Sequence, residues 1–113
     1  MYYSFLSYYK VIEAAHGGIK ANVLGWINAN LGTIRPYLGP ERIAELQKSQ
    51  ADVANYLYVQ NRCAVAHAAN KPTADPDDPD HRRRLTLDLP IVEALARKAI
   101  DDGLLADAPS SKA

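Results

Sequence analysis

Cysteine is almost missing from this chain: Cys63 is the only one among 113 residues. A lone thiol excludes an internal disulfide framework and fits a reducing compartment, so the cytoplasm is the expected location. An excess of one charge is missing too, because 13 Lys and Arg balance 13 Asp and Glu. That balance removes any general electrostatic case for nucleic-acid binding and leaves only a local patch to supply it. No apolar run approaches the roughly 18 residues of a membrane span, and the opening MYYSFLSYYK has neither the basic start nor the apolar core of a signal peptide. No membrane association is expected.

Motifs for the common cofactor chemistries are absent as well. There is no GxGxxG, P-loop or serine elbow. Three histidines and one cysteine have no zinc-like spacing, and DPDDPD lacks the glycine and terminal glutamate of an EF-hand loop. No metal and no cofactor are therefore expected. Strict apolar–polar alternation, the mark of a half-buried strand, is also lacking.

Helical periodicity is what remains. Phe5, Tyr8, Tyr9 and Ile12 share one stripe before Gly17-Gly18, and Ile19, Val23, Trp26, Ile27 and Leu31 share a second before Gly32. A third, long helix is expected from about Pro40 to Ala69, since proline in a first turn loses no intrahelical bond. NKPTADPDDPDHRRRLT, from Asn70 to Thr86, reads as a solvated loop. Asp88 is expected to cap a fourth helix carrying Val92, Leu95, Ala96, Ala99 and Ile100. No single stripe can hide itself, so an all-α bundle of four main helices follows, as one domain over residues 1–105 with a disordered tail at 106–113. The tyrosines of the first helix suit packing better than nucleobase stacking.

On a wheel of about 100° per residue, Val53, Leu57, Asn61, Ala64 and Ala68 form the core face of the third helix. Val59, Cys63, Ala66 and Asn70 form a narrow second strip, which wants a second partner, either another helix of the bundle or a second copy of the chain meeting at Val59, Cys63 and Ala66. Arg62 and His67 flank it, about 140° apart. In a symmetric dimer about that strip, the arginine of one copy and the histidine of the other can converge.

The segment NRCAVAH resembles the motif of the HEPN superfamily, helical domains with an arginine and a histidine four to six residues apart near the end of a long helix; here they are Arg62 and His67. YYSFLSYYKVIEAA, NRCAVAHA and DPDDPDHRRRLTLDLPIVEALARKAI together resemble a bacterial family of methylamine utilisation accessory proteins. The superfamily resemblance implies a homodimer with facing motifs and, in many members, a metal-independent endoribonuclease. His67 would then serve as general base or acid for attack by a ribose 2'-hydroxyl, and Arg62 would hold the phosphate. Cys63 departs from the pattern, because the residue after the arginine is usually polar in active members.

Arg82, Arg83 and Arg84 are the candidate contacts to RNA phosphates, against local neutralisation by Asp75, Asp77, Asp78 and Asp80. Taken singly, Arg62 suits an interhelix ion pair and His67 a helix C-terminus. The competing function is a non-catalytic dimerisation or adaptor module, part of a larger protein or of a defence or toxin–antitoxin system with a protein partner such as an antitoxin.

Overall fold

The computed structural model describes residues 2–63 and 79–103, with side chains described over 4–63 and 82–103. Among the described residues every regular element is helical. Helix α1 covers Tyr2–Ala15, α2 Lys20–Asn30, α3 Glu41–Ser49 and α4 Val53–Tyr56, which widens into a π-helical segment at Leu57–Cys63; α5 covers Pro79–Asp101. The tail expected at 106–113 lies outside the described residues.

Helix α1 packs along α5, the π-helical segment contacts both, and α2 lies against α1 and α4. Phe5, Tyr9 and Ile12 of α1, Leu57 of the π-helical segment, and Val92 and Leu95 of α5 are fully buried at the centre. Each of these stripes follows the spacing that sends one helical face inward. Two expected core positions point outward instead: Ile19 is 56% exposed just before α2, and Ile100 is 55% exposed near the end of α5.

Helix α1 ends where Gly17 and Gly18 take φ of 66° and 75°, and the Gly18 N–H donates to the Glu13 carbonyl at 2.9 Å. Side chains disfavour that backbone region, so glycine stops the helix cleanly. His16 sits at this end, with Nδ1 3.0 Å from the Ile12 carbonyl oxygen.

The long third helix is the main correction. Gln50 and Asp52 are extended, with ψ of 132° and 101°. The Asp52 carboxylate caps a new helix by accepting from the Asn55 N–H at 3.0 Å and from Asn28 Nδ2 at 2.8 Å. Capping satisfies a donor that a helix start would otherwise orphan, and these bonds hold the Asp52 carboxyl below the usual range, Asn28 first. Residues 79–86, expected in the loop, are helical, because α5 already begins at Pro79. Arg82, Arg83 and Arg84 are therefore helical, and Asp88 lies in the fully buried interior of α5 instead of capping it.

Candidate functional site

The π-helical segment carries Arg62 and packs against both α1 and α5. On the α1 side, Arg62 Nε and Nη2 donate to the two carboxylate oxygens of Glu13 at 3.0 and 3.2 Å. Each side chain of this pair keeps 23% of its surface in solvent. Fork-to-fork pairing fixes the plane of the guanidinium as well as its position, and the Glu13 hydrogen bonds push the Arg62 pKa further up. Glu13 stands in the last turn of α1, where the helix dipole opposes a negative charge. Arg62 offsets that mismatch.

Aromatic groups surround the pair. Tyr9 is buried, its hydroxyl has no hydrogen-bond partner among the described residues, and burial, aided by the Glu13 charge, pushes its pKa up. Its ring lies 6.4 Å from that of Tyr58. Lys20 Nζ lies 4.5 Å above the Tyr58 ring, a cation–π contact. The neighbouring Cys63 thiol raises the Tyr58 pKa. Cys63 is half-buried.

On the other side, Asn61 is fully buried, as the core face of the wheel requires. Asp88 Oδ2 accepts from Asn61 Nδ2 at 2.8 Å and from the Tyr56 hydroxyl at 2.6 Å, while Oδ1 accepts from Arg42 Nε at 2.6 Å. Three donors from three segments satisfy one buried carboxylate, as a desolvated charge demands. Burial and the bond to Asp88 push Tyr56 up to about 12. Burial alone would lower the Arg42 pKa, but its bonds to Asp88 and Glu45 raise it.

The remaining candidates divide. Arg84 Nη2 donates to the Gln60 carbonyl at 3.3 Å, so this arginine ties α5 to the segment carrying Arg62. Arg82 and Arg83 are exposed on α5. Val59 is 44% exposed, so the second strip shows an uncovered apolar residue. His67 and Ala66 lie outside the described residues. A groove of about 390 Å³ between the α2–α3 connection and α3, lined by Leu31, Ile34, Pro36, Pro40 and Ile43, contains none of the candidates. Among the described residues no cluster of three or more His, Cys, Asp or Glu could hold a metal, and no helix is long and apolar enough to cross a membrane.

Glu13, Tyr58 and Lys20 do not stand out from sequence reasoning. Only Glu13 had a usable signal, as an acid placed where a helix end disfavours it. Comparison with known proteins adds one finding: the family described as Methylamine utilization protein MauJ matches residues 1–101. No curated protein and no solved structure matches the chain.

Proposed function

The chain belongs to the MauJ family of methylamine utilization proteins, and from that premise we propose that it is an HEPN-like domain that binds RNA phosphate, and cleaves it without a metal, through Arg62 and His67 at a homodimer interface. The observation that carries this reading is the placement of Arg62 near the end of the π-helical segment with part of its side chain open to solvent. A planar, permanently charged fork suits a phosphodiester. Functional sites also recur at π-helical turns.

In this reaction His67 takes the proton of a ribose 2'-hydroxyl as its oxygen bonds to the adjacent phosphorus. The bond from phosphorus to the 5'-oxygen then breaks, leaving a cyclic phosphate, and the departing oxygen takes a proton from a general acid or from water. An imidazole, which titrates near neutral pH, suits the transfer. Arg62 stabilises the charge that builds on the phosphoryl oxygens. Val59, Cys63 and Ala66 would bring two copies together, and Arg82 and Arg83 would extend the phosphate track.

The second reading is a non-catalytic accessory or adaptor module, with a protein partner in place of RNA. Glu13 favours it by already occupying the Arg62 fork, and so does Cys63 in place of a polar residue. The readings separate on purified protein incubated with labelled single-stranded RNA. Cleavage lost in both Arg62→Ala and His67→Ala, with the dimer intact by sedimentation, supports the nuclease. Cleavage unchanged in His67→Ala sinks it, and RNA neither bound nor cut at low salt leaves the adaptor.

A further inference from the structure

Tyr56 and Asn61 stand five positions apart, yet both donate to the same oxygen of Asp88, at 2.6 and 2.8 Å. In an α-helix, five residues separate two side chains by about 140° around the axis, and one buried oxygen could not receive both. In a π-helix, bonding from i to i+5 stacks such residues on one side. The register of Leu57–Cys63 and the two donors at Asp88 therefore imply one another.

Asn61 is a poor choice for packing alone. It is fully buried, and its Oδ1 has no hydrogen-bond partner among the described residues. An unsatisfied buried amide oxygen destabilises, whereas leucine would fill the site without one. The amide answers to Asp88, which needs donors from every side. The residue after Asn61 is Arg62, whose fork reaches Glu13 across α1. Returning this segment to α-helical register would turn Asn61 away from Asp88 and carry Arg62 around the axis with it.

We infer that Asp88 is a positioning residue for Arg62: from the core it holds residues 57–63 in π-helical register, and that register delivers the Arg62 guanidinium to Glu13. Arg42 ties the same carboxylate to α3 at 2.6 Å, so the clamp reaches α3, α4 and α5 before it reaches the site. Arg84 adds a second tie at the Gln60 carbonyl. This deepens the proposed function, on which only its consequence for RNA rests; the geometry stands by itself.

The test uses the full chain labelled with nitrogen-15, reading the Arg62 Nε–H signal and backbone hydrogen exchange over 57–63. Asn61→Leu and Tyr56→Phe each remove one donor while keeping bulk. Both should displace the Arg62 Nε–H signal and speed exchange in this segment by about tenfold, the size expected from one lost hydrogen bond to a charged group. A control of similar stability loss, Ile27→Val in the core of α2, should leave the Nε–H signal in place. The inference is overturned if folded Asn61→Leu and Tyr56→Phe keep the wild-type signal, or if Ile27→Val displaces it equally. Titration with labelled single-stranded RNA supplies the other arm. Weakened binding in Asn61→Leu, matching Arg62→Ala, links the clamp to the site, whereas wild type that does not bind RNA defeats the proposed function and leaves the Nε–H signal to judge the clamp.

Discussion

The π-helical segment separates two carboxylate–guanidinium pairs that share chemistry and differ in solvation. Asp88 is wholly buried and accepts from Arg42, Tyr56 and Asn61, whereas Glu13 meets Arg62 with 23% of each side chain still in water. A desolvated charge must have every lone pair answered, and losing one partner leaves the rest stranded. A solvated pair competes with water at both ends, so its bond can be exchanged for another ligand at little cost. The first pair therefore builds the fold, and the second is the one a phosphate could enter.

The largest break in that contrast should come from Asp88→Ala. Removing the carboxylate strands the Arg42 guanidinium, the Tyr56 hydroxyl and the Asn61 amide, and breaking a buried pair of this kind costs about 3–5 kcal/mol. Against a total stability of roughly 5–15 kcal/mol for a single domain, urea unfolding should show a midpoint lowered by about a fifth or more. An unchanged midpoint would place Asp88 among the weak surface pairs.

Alkaline titration gives a smaller effect on the same side of the contrast. Tyr56 is raised to about 12 by burial and Asp88, and Tyr9 is raised further by burial and Glu13. With folded pKa values above unfolded ones near 10, the native state binds these protons more tightly. Their contribution is complete below about pH 10 and declines as pH rises toward the folded values. Thermal melting should therefore weaken above about pH 10, and Tyr56→Phe should flatten the slope. A wild-type melting temperature that stays level from pH 9.5 to 11.5 would be the contrary result.

What the sequence makes legible follows the same division. Phe5, Tyr9 and Ile12, and Val53, Leu57 and Asn61, are readable as core because helical spacing alone sends them inward. The break at Gln50–Asp52 is harder, because it depends on Asn28 reaching the Asp52 carboxylate from α2. Asp88 looks like a cap because aspartate before an apolar run usually is one. Its true place depends on α5 starting nine residues earlier and on donors from three other segments. The π-helical register leaves no periodic trace in seven residues, so a wheel drawn at 100° places Arg62 without its partner on α1. Arg62 itself is legible, through its spacing to His67, whereas the carboxylate that orients it belongs to a segment 49 positions away.

Glu13→Gln should have the smallest effect on stability, and it sharpens the contrast most. The pair it breaks is partly solvated, worth about 0–1 kcal/mol. Removing a negative charge from the last turn of α1 also relieves an unfavourable dipole interaction of about 0.3–1 kcal/mol. The two terms oppose each other, and urea unfolding should shift by less than about 0.5 kcal/mol, the ordinary range for a surface substitution. Binding should respond where stability does not. With its carboxylate partner neutral, Arg62 keeps its full charge for an incoming anion, so single-stranded RNA should bind more tightly at low salt, and added salt should erase more of that affinity than in wild type. A stability loss of about 3 kcal/mol in Glu13→Gln would instead rank this pair with Asp88. Arg62 would then be a strut between α1 and the π-helical segment, and the adaptor reading would take the place of the phosphate site.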